Sequence, residues 1–549
     1  MTQIPYLRML TWVTAVVFTA IALIVAVAFP LHASDALAFG EWSRLIALHW
    51  SRVFDASNRP LFYVLQGSLW HVIGYSDSSG RLLCGLFSLL LVAALAWLVS
   101  ARPWGRIAAA VAVLLVLATP VYAAQVVSSL TDVVVAAMLA LTAALAVRLP
   151  PRGRTLPLAG MAAMLAVLAK PSALLALIGI AASQLLAKEP LRERMLRRVV
   201  PLAAGTAIGF SYYVIQAART HNGLRPFLEA GVTGPYYSHL AAATRRLGIL
   251  DLAWFGELLR SVLLFALLYT VGRLAGAAHR ATVLAAVPAV AVLSWFLPWI
   301  GGRESHLSVG AFANASSVAA WMITCCVLLA AAWAPDEAVP TRRELLLFVL
   351  WAVPPLVAWM AYATYDTRLL SSAWPGLLAL MAVCGTPAVV GLARIPAAAL
   401  APIVALIVAV SLNIYNIDGL GRSGWDQWRR TPSSERFNVD QTRAIVLPAL
   451  TKALAVVRPL MGPRDRLFSP EGAFRFFFPG RVEQSFPTSC AELAGYRAFV
   501  LTTDQGSRSY MQDFLHVSGD PSYWAACKQP HLRQLTNGAE GYAVFAVNG

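Results

Sequence analysis

Apolar runs of about the length that crosses a bilayer, the fifth of them short, recur from the N-terminus to about residue 415. They fall at roughly 10–29, 82–100, 106–121, 132–147, 156–169, 172–187, 199–217, 252–271, 281–300, 316–333, 345–363, 369–390 and 396–415. A hydrocarbon core of ~30 Å takes about 20 helical residues, so this pattern predicts about 13 transmembrane helices, the fifth being the shortest. The first run is too long for a cleaved signal and lacks a small-x-small site before Ser34, so it reads as a retained helix. After Tyr415 the pattern becomes polar, with turn signals at Asp418-Gly419, Ser423-Gly424 and Asn537-Gly538. A helical pattern covers 442–457, and strand-like runs follow at 466–469, 498–502 and 542–547. The expected fold is therefore mostly α: a polytopic helical body over residues 1–417 and a small extracytoplasmic α/β domain over 418–549.

Composition agrees. The 549 residues are 58% hydrophobic and only 13% charged, with a mean hydropathy of +0.65. That is about half the charge of a soluble globular chain, which excludes a soluble one- or two-domain enzyme and a disordered segment. The net charge of +16 need not mean nucleic acid. Many of the basic residues sit in alternating short connections: Arg102 and Arg106; Arg148, Arg152 and Arg154; Lys188, Arg192, Arg194, Arg197 and Arg198; Arg273 and Arg280; Arg342 and Arg343; Arg394. Short basic loops belong in the cytoplasm. The expected topology thus has a cytoplasmic N-terminus and an outer C-terminal domain. None of the six cysteines forms a CxxC pair; Cys490 and Cys527, outside the apolar body, are either a disulfide or two free thiols.

Ionisable groups at the edge of a bilayer are costly and tend to mark function. On this topology several share the outer side: Asp35 after the first span, Arg59 before Pro60, Asp132 opening the fourth span, Lys170 before Pro171, Glu304 and His306 after the ninth, and Arg368 opening the twelfth. Cations can neutralise a lipid phosphate, with Arg as a planar fork, and a carboxylate can take a proton from an attacking hydroxyl. The set suggests group transfer from a lipid phosphate that departs as a stabilised anion. Blander roles stand beside these: Asp132 as a helix-terminal acid, Lys170 reaching to the interface, Arg368 pairing with Asp366. Glu304 and His306 are thin as metal ligands, and Glu41, His49 and His71 read as one face of an amphipathic outer-loop stretch.

The order of several segments resembles a family. Ser34-Asp35-Ala36 is followed by Asn58-Arg59-Pro60-Leu61-Phe62-Tyr63, Leu69-Trp70-His71 and Gly80-Arg81-Leu82-Leu83. Leu130-Thr131-Asp132-Val133, Leu168-Ala169-Lys170-Pro171, Tyr212-Tyr213-Val214 and Asp366-Thr367-Arg368-Leu369-Leu370 come next, the last ahead of Trp374-Pro375-Gly376. Over residues 10–420 this resembles the GT-C superfamily of membrane glycosyltransferases, in the branch of the aminoarabinose lipid A transferase and the protein O-mannosyltransferases.

The resemblance implies an inverting glycosyltransferase of the bacterial inner membrane. Its donor would be a polyprenyl-phosphate-linked sugar and its acceptor a lipid, glycan or protein at the outer face, with membrane lipids and no nucleic acid as partners. Asp35 would be the catalytic acid, Asp132 a second acid, and Arg59, Lys170 and Arg368 the donor-phosphate ligands. The chain departs from relatives that read His-Pro-Pro or Glu-Lys-Pro where it has Asn58-Arg59-Pro60, so a metal ligand in that motif is absent. A divalent metal stays open as a cofactor, with Glu304 and His306 as its candidates. Two other readings also stay open: a ligase using a diphosphate-linked donor, and a lipid-linked-sugar flippase.

Overall fold

The computed structural model describes residues 35–55, 59–74, 77–119, 131–149, 156–220, 257–301, 324–362, 367–392, 448–469, 473–483, 490–502, 531–536 and 542–548, with isolated helical positions between 12 and 20. Two short helices come first, α1 (Asp35–Leu48) and α2 (Pro60–Ile73), joined through a 3-10 turn at Trp50–Asp55. The apolar body follows: α3 (Asp77–Val99), α4 (Gly105–Ala118), α5 (Asp132–Arg148), α6 (Leu156–Ala169), α7 (Ala173–Gln184), α8 (Val200–Thr220), α9 (Glu257–Leu274), α10 (His279–Gly301), α11 (Arg342–Tyr362) and α12 (Trp374–Leu392). Helical turns also cover Thr324–Trp333. The expected spans at 82–100, 132–147, 156–169, 172–187, 199–217, 281–300 and 369–390 fall largely on described helices, and those at 106–121, 252–271, 316–333 and 345–363 do so over their described parts. Residues 120–121, 252–256, 316–323 and 363 lie outside the described residues, as do the spans at 10–29, isolated positions apart, and 396–415. Gly80–Val99, Leu191–Arg219 and Trp374–Leu392 are long and apolar enough to cross a bilayer on their own.

The helices pack as expected where water supplies no driving force between them, through small residues that let backbones approach. At the α6–α8 crossing, a methyl group on Gly205 would lie 1.9 Å from the Gly160 carbonyl oxygen, and one on Gly160 would lie 2.4 Å from that of Pro201. Neither position admits a side chain. α12 is buried along its whole length against α4, α9 and α11. The buried cation Arg102 staples the chain just before α4 to the loop before α11. It donates to the carbonyl oxygens of Ala338 (2.7 Å) and Val383 (3.2 Å) and faces Glu344 at 3.6 Å.

Near the C-terminus, α13 (Pro448–Val457) and α14 (Ala473–Phe477) accompany five strands: β1 (Leu467–Phe468), β2 (Val482–Glu483), β3 (Ala498–Thr502), β4 (His531–Gln534) and β5 (Tyr542–Asn548). Their order is β2-β1-β3-β5-β4, with β1 parallel to β2 and β3, and β5 antiparallel to β3 and β4. One apolar cluster joins Leu467, Val500 and Val544 to Leu454 and Phe474, and it takes in Ala47 of α1 and Trp70 of α2. The other holds Phe468, Leu493, Phe499 and Phe545. Cys490 opens a 3-10 turn; its side chain, and Cys527, lie outside the described residues.

Candidate functional site

Because α5 and α6 run antiparallel as neighbours, the first residue of α5 and the residue after α6 reach the same end of the bundle. There Lys170 Nζ meets Asp132 Oδ1 at 2.5 Å. Asp132 is 3% exposed and Lys170 12%. A lone buried carboxylate would be heavily penalised, and the ammonium offsets that penalty. An acid at a helix N-terminus also gains from the peptide dipole.

A third segment closes on the pair. The 3-10 turn Thr367–Ser372 carries Arg368 in its backbone and places Ser371 Oγ 3.4 Å from Asp132 Oδ1. Ser372 extends the seam: its hydroxyl lies 3.0 Å from that of Ser172, and its carbonyl accepts from Trp351 Nε1 at 3.1 Å. The turn is thereby tied to α5, α7 and α11 by polar contacts inside an otherwise apolar body. The Thr131 hydroxyl, one residue before α5, is buried and makes no protein hydrogen bond among the described residues. The opposite end of the α5–α6 hairpin is basic, with Arg198 donating to the Ala146 carbonyl at 3.1 Å and pairing with Glu189.

Arg59 stands half-buried at the N-terminus of α2, ahead of Pro60, whose missing N–H costs a helix nothing in its first turn. It lies within electrostatic reach of Tyr213, which also faces Tyr63 and Tyr212. The Tyr213 hydroxyl donates to the carbonyl of Val167 at 2.9 Å, one turn before Lys170. The Tyr212 hydroxyl donates to Val53 at 2.7 Å, fixing the 3-10 turn between α1 and α2.

Asp35 is the first residue of α1. Its side chain and that of Arg368 lie outside the described residues, as do Glu304 and His306 altogether. Of the candidates from the sequence, Asp132 and Lys170 are brought together directly, the turn bearing Arg368 joins them, and Arg59 lies within electrostatic reach of Tyr213. Among the described residues no three His, Cys, Asp or Glu side chains gather as a metal site.

Sequence reasoning missed two sets of residues. Ser172, Ser371 and Ser372 gave no signal, being single hydroxyls in apolar surroundings. Glu41, read as part of an amphipathic outer-loop stretch, is 3% exposed. One carboxyl oxygen faces Arg475 Nε at 2.6 Å and the other accepts from the Gly480 amide at 3.3 Å. Burial pushes the Glu41 carboxyl above its ordinary range; Arg475 and the Gly480 amide pull it back only in part. The available clue was Arg475 itself, a lone cation within Phe474-Arg475-Phe476-Phe477-Phe478, where an unpaired charge would be expensive.

Residues 56–215 match the family model described as dolichyl-phosphate-mannose-protein mannosyltransferase. No curated protein matches the chain significantly. Among solved structures, ArnT from Cupriavidus metallidurans bound to undecaprenyl phosphate is similar, at 14% identity and a TM-score of 0.50 over 97% of this chain and 98% of that one. Its apo state is similar at 15% identity and 0.51, over 97% of each. The chain is thus similar in fold to ArnT along nearly its whole length, and its segment 56–215 matches the mannosyltransferase model.

Proposed function

We propose that this protein is an inverting membrane glycosyltransferase that moves a sugar from a polyprenyl-phosphate carrier to a lipid, glycan or protein acceptor at the outer face of the membrane. One observation carries the reading. The segment that matches the mannosyltransferase family holds Arg59, Asp132 and Lys170, and the last two meet beside the turn that bears Arg368.

In this scheme Asp35 takes the proton from the acceptor hydroxyl as its oxygen attacks the anomeric carbon. The bond to the carrier phosphate breaks on the opposite face, so the configuration inverts. The phosphate leaves with both bonding electrons, and Arg59, Lys170 and Arg368 hold its charge. A departing phosphate is a weak base and needs no general acid, so one carboxylate suffices at the reacting carbon. Asp132 keeps Lys170 oriented and charged before the donor arrives. The guanidinium at Arg59 does not fit a divalent ion, and cations at the phosphate serve the same electrostatic end.

Binding of undecaprenyl phosphate to the purified protein tests the phosphate ligands. Arg59→Ala, Lys170→Ala and Arg368→Ala should each weaken it about tenfold or more, the scale of one lost charge-assisted contact of about 1.5–3 kcal/mol. Affinity unchanged in all three variants would contradict the assignment.

A further inference from the structure

The C-terminal helix α14 and the turn after it are joined to α1 by more than apolar contact. Glu41 and Arg44, one turn apart on α1, are 3% and 6% exposed. Glu41 takes Arg475 Nε at 2.6 Å and the Gly480 amide at 3.3 Å. Arg44 donates to the Phe476 carbonyl at 2.7 Å and lies over the Phe476 ring at 5.2 Å. Gly40 completes the contact. The Phe476 ring rests on it so closely that a methyl group there would stand 2.6 Å from two ring carbons, and Trp70 of α2 meets the same ring edge-on at 6.3 Å.

If covering α1 were the whole purpose, apolar side chains would serve as well, because a buried ion pair gains little net stability over a hydrophobic replacement. What the polar pins add is register: each fixes α1 along and around its own axis. The pinned turn lies six residues from Asp35, about 9 Å along a helix rising 1.5 Å per residue. A helix transmits that constraint as a rigid rod.

We infer that the C-terminal region, through α14 and the turn at Gly480, positions the catalytic end of α1, with Glu41 and Arg475 as positioning residues that hold Asp35 in register for transfer. The inference rests on the proposed role of Asp35. It assigns the C-terminal region a part in turnover, by way of the helix it grips.

Three variants test it: Arg475→Ala, Arg475→Lys and Asp35→Asn. Two readouts apply to each. One is amide hydrogen exchange over residues 35–48. The other is release of polyprenyl phosphate from the monophosphate-linked sugar that accumulates in Asp35→Asn cells, as the sugar passes to the acceptor supplied in native membranes. Arg475→Ala should raise exchange in α1 and lower kcat about 10- to 100-fold, the usual effect of an ångström-scale misplacement. The KM for the donor should stay nearly constant, because the phosphate ligands are elsewhere. Arg475→Lys, which keeps a cation, should recover most of kcat; a purely structural lesion would show no such split and no such rescue.

Faster exchange with kcat intact would overturn the inference, as would α1 exchange unchanged in Arg475→Ala. Should Arg475→Ala fail to fold, the lysine variant is read the same way: wild-type kcat despite a loosened α1 overturns it. Asp35→Asn should be inactive with wild-type exchange in α1. Full activity there removes the functional reading itself, a failure distinct from failure of the clamp.

Discussion

At the scale of single residues, the account turns on charges placed where charge is costly. Asp132 and Lys170 form a pair that neither could replace alone. Removing one partner strands the other, and breaking a buried pair costs about 3–5 kcal/mol. Lys170→Met and Asp132→Leu should therefore each lower the melting temperature in detergent, while the double variant should recover much of the loss. Additive losses in the double variant would mean that the contact at 2.5 Å contributes no coupling. Glu41 gives a prediction with a sign. Its carboxyl is raised in the folded protein, so the folded state holds that proton more tightly than the unfolded chain does. The stability it contributes is complete below the ordinary glutamate value of 4.5 and is lost as pH rises through the raised value. Across that window the protein should become less stable as pH increases, and Glu41→Gln should remove this part of the slope. A stability that climbs with pH over the same window, and does so less in Glu41→Gln, would reverse the assignment. Neither pairing was legible in the sequence. Asp132 and Lys170 could be put on the same side of the membrane, yet only the antiparallel fit of α5 and α6 makes them touch. The carbonyl that anchors Arg44 lies 432 residues further along the chain, beyond anything a local pattern encodes.

At the scale of elements, length and apolarity located the described helices of the apolar body, because a bilayer-length apolar run has few stable alternatives. Central strands were legible for a related reason. Ala498–Thr502 and Tyr542–Asn548 bury apolar side chains on both faces and read as continuous apolar runs. The edge strands were not. Val482–Glu483 and His531–Gln534 offer one apolar residue each and are held by backbone pairing, which leaves little trace in composition. Close helix contacts escaped for a similar reason: Gly160 and Gly205 look like any glycines in apolar helices until their partners are known. Gly205→Val should force α6 and α8 apart and destabilise the protein by about 1–3 kcal/mol, the scale of overpacking, read as thermal unfolding in detergent. Unchanged stability would show that this crossing tolerates bulk and that its 1.9 Å clearance is not a constraint.

At the scale of the whole molecule, the proposed scheme joins an apolar body, a polar cluster at one end and a C-terminal region that grips α1 through α14. In that scheme the body excludes water, the cluster meets the carrier phosphate, and α14 sets the helix that starts at Asp35. The proposed role of Asp35 as the base in sugar transfer from a polyprenyl monophosphate is tested most directly by mass spectrometry of polyprenyl lipids. Cells would carry either wild type or Asp35→Asn at matched expression. The account predicts that a monophosphate-linked sugar builds up on the outer leaflet in the variant, which would also name the donor. A build-up of diphosphate-linked oligosaccharide would contradict the donor class, and a lipid-linked sugar trapped on the cytoplasmic side would mean that the protein moves lipids instead of transferring their sugars.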